Sequence, residues 1–130
     1  MSSIQELQVN HVTADVTLTD GVESVAVSSG GVILPYQTAK IVIVAWAQVS
    51  LAASTTGLTP RIRRGTGITG TTVGDATIVL VTASTIVEIN IMVSEDRANE
   101  GSVEYSLTLL DTAGGADGSI LQSSIMVYIL

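Results

Sequence analysis

The sequence predicts an all-β fold, an antiparallel two-sheet β-sandwich of jelly-roll type, and three observations carry that prediction. Apolar residues recur with a period of two in most stretches, turn residues punctuate the chain at fairly regular spacing, and Thr, Val, Ile, Ser and Gly dominate where a helix would need better helix formers. About eight short strands in roughly 120 residues fit a jelly roll, with an immunoglobulin-like sandwich as the alternative topology.

Alternation places each strand. In Ser102 to Leu109 the residues Val103, Tyr105, Leu107 and Leu109 share one face, and Ser102, Glu104, Ser106 and Thr108 share the other. Thr13 to Thr19 and Val22 to Ser28 follow the same rule, as does Ile86 to Ser94, where Val87, Ile89, Ile91 and Val93 oppose Glu88, Asn90 and Ser94. Two further strands are expected at 58–64 and 76–82. Turn signals separate them at Asp20-Gly21, Ser29-Gly30-Gly31, Thr55-Thr56-Gly57, Gly65 to Gly74, Asn99-Glu100-Gly101 and Gly114 to Gly118. One helical turn is expected near Ile4 to Val9.

Three segments are apolar at every position: Ile41 to Trp46, Ile78 to Val81, and Ile125 to Leu130. A strand with two dry faces must be covered twice, by its own core and by a second layer or a neighbouring subunit. Helices that could supply the second layer are not evident, so these strands are assigned to a subunit contact. Ile41, Ile43, Trp46, Met126, Tyr128 and Leu130 are its candidate residues.

Composition supports that assignment. The chain has 130 residues, the size of one domain, read as an N-terminal arm over 1–15 and a single sandwich domain over 16–130. Polar termini of this kind are usually disordered or lie on a neighbour. Hydrophobic residues make up 46 % and charged residues only 13 %, about half the usual share of a soluble domain. A surface this short of charge leaves apolar area for another protein to cover. The formal net charge of −7 repels phosphate backbones and anionic membranes, so neither nucleic acid nor a membrane is an expected partner. The longest apolar stretch, Ile41 to Ala47, is far short of the roughly 20 residues of a spanning helix, and the N-terminus does not resemble a secretory signal.

Cysteine is absent, which removes disulfides, thiolate nucleophiles and zinc–thiolate sites. His11 is the single histidine and is expected to be a bystander. The carboxylates of Glu95-Asp96 with Glu100 and Glu104, and of Asp111 with Asp117-Gly118, depart from the calcium-loop spacing, so a calcium site is weakly supported. Ser and Thr are abundant but have no partnering base in the pattern. No enzyme and no cofactor is expected.

The stretch Arg61 to Thr72 carries Arg61, Arg63 and Arg64 directly into Gly65, Gly67 and Gly70, a formal match to G-x-G-x-x-G. A pyrophosphate loop needs a helix after the glycines to present its N-terminal amides. Here the β-branched, twice-interrupted Thr71 to Ile78 follows, and the segment is read as a connection between strands. On an alternating strand Arg61 and Arg63 share a face and Arg64 takes the other. Their expected role is ion pairing with the twelve carboxylates, within or between subunits, with docking of an acidic partner surface as the alternative.

The residues Leu58 to Thr66, Thr69 to Gly74, Val103 to Thr108 and Ala116-Asp117-Gly118 resemble small tailed-phage virion proteins, namely capsid decoration or head-spike proteins with a jelly-roll fold related to tumour necrosis factor. The resemblance spans roughly 35–130 and rests on strand and turn residues, not on a chemical site. It implies a non-enzymatic homotrimer on the exterior of the virion, made in the host cytoplasm, whose partners are copies of itself and the major capsid protein lattice. The arm over 1–15 would then anchor it. A carbohydrate- or receptor-binding fibre or spike module, using loops at 54–57, 65–75 and 111–118, is the alternative function, and a small hydrolase has the least support.

Overall fold

The computed structural model describes residues 6–19, 21–33, 38–50, 55–75, 79–82, 86–98, 102–111 and 118–130. Among these residues ten strands, all paired antiparallel, form two sheets. Sheet A runs β1 (Glu6–Val12), β10 (Ser119–Ile129), β4 (Thr38–Ser50), β8 (Ile86–Ala98), and the short β2 (Val16–Thr17) also pairs with β10. Sheet B runs β3 (Glu23–Ile33), β9 (Ser102–Asp111), β5 (Thr55–Arg64), β6 (Thr71–Asp75), with β7 (Val79–Thr82) on the other half of β5.

The strand order decides between the two topologies that the sequence leaves open. β1 and β2 act as one broken strand, and β6 and β7 as another. The chain then steps from sheet to sheet at nearly every connection: β3 lies in B, β4 in A, β5 in B, β8 in A, β9 in B and β10 in A. An immunoglobulin-like sandwich would keep sequential neighbours paired within a sheet. Interleaving of early and late strands, β1 beside β10 and β3 beside β9, is the double Greek key of a jelly roll.

The period-two pattern becomes one continuous core. On sheet A, Ile41, Ile43, Ala45, Ala47 and Val49 of β4 face inward beside Ile125, Val127 and Ile129 of β10 and Ile89 and Ile91 of β8, all buried. Facing them from sheet B are Val103, Tyr105, Leu107 and Leu109 of β9 with Leu58 and Ile62 of β5. Directly opposed residues of an antiparallel pair share a face, so the register fixes every inward row at once.

Several sequence expectations change here. Ile41 and Ile43 are fully enclosed by the chain's own two layers, so the second covering expected for them is sheet B of the same molecule. Of the segment 1–15 expected as an arm, Glu6–Val12 is β1, paired with β10 from Glu6↔Ile129 to Val12↔Ser123. The helical turn expected near Ile4 to Val9 is therefore strand over its described part, because seven successive pairings with Ser123 to Ile129 of β10 outweigh weak helix propensity. The strand expected over Thr13 to Thr19 shrinks to Val16–Thr17. Ser29-Gly30-Gly31, read as a turn, is a bulge inside β3: the register to β9 shifts between Ser28 and Gly31, and Gly30 takes φ +71°, a conformation that glycine adopts without strain. The 76–82 strand is β7 over Val79–Thr82, and β6 precedes it at Thr71–Asp75. Residues 34–37, 51–54, 76–78, 83–85, 99–101 and 112–117, which hold parts of several expected turns, lie outside the described residues.

Leu107 sits at the centre of β9 with no exposure, opposite Val27 and Ile62. Truncation to alanine is expected to cost about 2–5 kcal/mol, measured as the shift of the urea midpoint multiplied by the slope of the transition.

Candidate functional site

Two features stand apart from the core: a set of charged side chains on sheet B and the outward face of sheet A. The charged set begins at the end of β5. Arg61 and Arg63 project from the outer face of sheet B, opposite Thr108 and Ser106 of β9, and Arg64 projects inward opposite Tyr105. Glu23 at the start of β3 receives both outer arginines. Arg61 Nη1 donates to its Oε1 at 2.8 Å, and Arg63 donates through Nε to Oε2 at 2.5 Å and through Nη2 to Oε1 at 2.8 Å. The fork of Arg63 thus grips both carboxylate oxygens, the geometry in which such a pair is strongest.

Gly65 to Gly70 folds back over this cluster. The short 3-10 turn Gly67–Thr69 packs on β3 and β9, and the third Arg63 nitrogen, Nη1, donates to the Gly70 carbonyl at 2.7 Å. Gly65 at φ +115° and Gly67 at φ +51° make the reversal, and the Gly65 amide donates to the Glu104 carbonyl at 2.9 Å. The motif that formally matched a phosphate loop is therefore a lid on a sheet, held by an arginine. Ser106 and Thr108, opposite Arg63 and Arg61 on the outer face, are buried as well.

The Glu23 carboxyl is pulled down from its ordinary pKa of 4.5 to about 2, first by its bonds to Arg63, with Arg61 adding to the effect and burial opposing it. A carboxylate whose pKa is depressed on folding stabilises the fold above its unfolded value and loses that contribution as pH falls toward its folded value. The contribution is thus present at neutral pH and disappears between about 4.5 and about 2.

Arg64 makes a different link. Its Nη1 donates to Glu95 Oε1 of β8, and the Tyr105 hydroxyl donates to Glu95 Oε2, each at 2.5 Å. Arg64 and Tyr105 belong to sheet B and Glu95 to sheet A, so this triad ties the two sheets at one rim of the sandwich. At the opposite border, the Gln8 and Asn10 side chains of β1 donate to the Ser29 and Ser28 carbonyls of β3, and Ser123 Oγ of β10 donates to the Ala26 carbonyl. The Ser28 hydroxyl bonds to Glu104.

The outward face of sheet A is apolar. Register places Val9, Met126, Val44 and Met92 in one rank across β1, β10, β4 and β8. Val9 is 53 % exposed and Met92 71 %. Tyr128 and Val42 form the next rank with Ser94, and His11, Ser124, Trp46 and Asn90 form the rank on the other side. Trp46, Met126, Tyr128 and Leu130 are half-buried here, covered on their inner flank by neighbours and open outward. Of the six interface candidates read from sequence, these four lie on the outward side; Ile41 and Ile43, in the core, do not. Val9 and Met92 belong to the same patch and were missed, although the alternation that puts Val44 outward also puts out each residue paired with it.

His11 Nδ1 lies 2.7 Å from Ser124 Oγ at the border of this patch. Among the described residues no three His, Asp or Glu side chains gather in a metal-binding cluster. Glu100 and Asp117 of the weakly supported calcium site lie outside the described residues, as do residues 54 and 112–117 of the loops considered for glycan or receptor binding.

No family model and no curated protein matches the chain by sequence. In three dimensions it is similar to chains of viral particles. A chain of infectious bursal disease virus, Gt strain, superposes with a TM-score of 0.62 at 14 % identity, covering 98 % of this chain and 34 % of that one. The VP2 subviral particle of the same virus gives 0.57 at 13 % identity, covering 100 % and 34 %, and its T13 viral particle gives 0.51 at 14 %, covering 98 % and 32 %. The chain spans about a third of the length of these neighbours, and the shared feature is the fold, an antiparallel two-sheet β-sandwich.

Two measurements check the cluster. In Gly70→Ala the new Cβ would lie 2.6 Å from the Arg64 carbonyl oxygen, so the lid must shift; a lowered Tm by differential scanning calorimetry is expected. Glu23→Gln is expected to lose about 1.5–3 kcal/mol at pH 7 and to flatten the acid limb of stability between pH 4.5 and 2, read from urea midpoints across pH.

Proposed function

We propose that the protein is a non-enzymatic structural component of a virion, a self-associating jelly-roll subunit that decorates or cements a capsid. The observation that carries this reading is the outward face of sheet A, where Val9, Met126, Val44 and Met92 form an apolar rank flanked by Tyr128, Val42 and Trp46. Exposed contiguous apolar surface on a single domain marks a protein contact. Charged residues are only 13 % of the chain, and three of its five Lys and Arg are engaged by Glu23 and Glu95 on the other sheet or between the sheets, so none of these three cations screens that face.

The similarity of fold to chains of viral particles supports the same reading, as does the resemblance of the β5–β6 and β9 segments to tailed-phage decoration and head-spike proteins. A homotrimer on the capsid exterior is the arrangement this reading favours, because threefold packing lets one face of each subunit meet another. Trp46, Met126, Tyr128 and Leu130 would line the contact, with Val9, Val44 and Met92. The major capsid protein lattice is the proposed second partner.

Val44→Asp combined with Met126→Asp places two charges in the centre of the patch without touching the core. Light scattering coupled to size exclusion is expected to give a trimer mass for the unmodified chain and a monomer for the double variant, with unchanged far-ultraviolet circular dichroism. A monomer for the unmodified chain at micromolar concentration would remove the reading, and failure of the trimer to co-sediment with shells assembled without it would remove the decoration role.

A further inference from the structure

Sheet A ends at β8, and among the described residues no strand pairs with the far side of it. An open edge presents backbone N–H and C=O groups that another strand can pair with, and proteins blunt such edges by shortness, Lys, Pro, bulges or cover. The other edges of this sandwich are blunted in these ways. β1 covers seven residues and breaks before β2. β3 shifts register twice against β9, and its Ser28 and Ser29 carbonyls are taken by Asn10 and Gln8. β6 and β7 have five and four residues. β8 instead runs thirteen residues, pairs with β4 from Ile86 to Ala98 without a register shift, contains neither Lys nor Pro, and confines its charges to Glu88 and to Glu95, Asp96 and Arg97 near its end, so that 89–94 is an uncharged edge.

We propose that the β8 edge is a second self-association surface, on which β8 of another copy pairs antiparallel across a twofold axis and continues sheet A from one copy into the next. The proposal rests on the reading of the chain as a self-associating subunit that decorates or cements a capsid. A closed trimer has no means of growing, because a single cyclic contact is satisfied within the ring. Linking one ring to the next takes a second contact of different symmetry, and a twofold edge is the simplest one.

Charge selects the register. Opposed residues of an antiparallel pair share a face, so each residue must meet one an even number of positions away. Complete overlap would centre the axis on Met92 and set Glu88 of each copy against Asp96 of the other, two like-charged pairs. Centring on Ile91 removes both: Glu88 then meets Ser94, Asp96 meets Ile86 and Asn90 meets Met92, while residues 86–96 stay paired. It also brings the two most exposed large apolar side chains among the described residues, Met92 at 71 % and Ile86 at 59 %, into the paired edge, and sets the rank that begins at Val9 beside the Asn90 and Trp46 rank of the second copy.

The chain has no cysteine, so an introduced thiol reports on one position alone. Asn90→Cys and Met92→Cys, both at exposed positions of β8, are prepared separately, mixed and oxidised. Opposed Cβ atoms about 4.5–5.5 Å apart are close to disulfide reach, which a short bismaleimide linker extends. The expected result is a covalent dimer in the mixture several-fold above that in either variant alone. Equal cross-linking in all three samples, or none while light scattering still shows assembly, overturns the edge contact and leaves self-association standing. A chain that stays monomeric throughout overturns both.

Discussion

The packing of one inward row of side chains between two sheets governs the rest of this molecule. A chain of this length can fill one interlayer and no more. Ile41, Ile43, Ala45 and Ala47 from sheet A meet Leu107, Tyr105, Ile62 and Leu58 from sheet B, and every residue one position away in sequence is thereby committed to the outside. What those outward residues are then decides whether a face is finished or requires a partner.

The two outer faces received different treatment. On sheet B the outer face is finished internally: Glu23 pairs with both Arg61 and Arg63, and the Gly65 to Gly70 lid packs on β3 and β9. Burying those charges carries a desolvation cost, which the bidentate geometry and the Gly70 carbonyl offset by satisfying the donors of Arg63 in place. On sheet A no loop folds back among the described residues, and Val44, Met126 and Met92 are left facing outward. The asymmetry points the proposed assembly through sheet A.

The inter-sheet triad of Arg64, Glu95 and Tyr105 bears on the same geometry. It joins β8, the outermost strand of sheet A, to β5 and β9 of sheet B. Gly74 of β6 lies directly against the Val93 side chain of β8, with no room for a Cβ. An edge strand held from inside by a charge-assisted clasp and close backbone packing stays straight and in register, a condition for pairing with a second strand.

The sequence by itself determined the class of fold, because a period of two needs only local chemistry to be visible. Val103, Tyr105, Leu107 and Leu109 could be assigned to one face from their spacing alone, and the opposed faces of Arg61 and Arg64 follow from the same rule. It also disposed of the glycine motif, since β-branched residues follow where a helix would be required. Which outward residues lie together depended on register between strands far apart in the chain: Val9 meets Met126 and Val44 meets Met92 only through pairings with β10 and β8. That Ile41 and Ile43 are enclosed, that Glu6–Val12 is a strand, and that Glu23 reaches across β9 to two arginines were likewise decided by tertiary structure. A side chain's chemistry is local, but what covers it is set by whichever distant segment the fold brings against it.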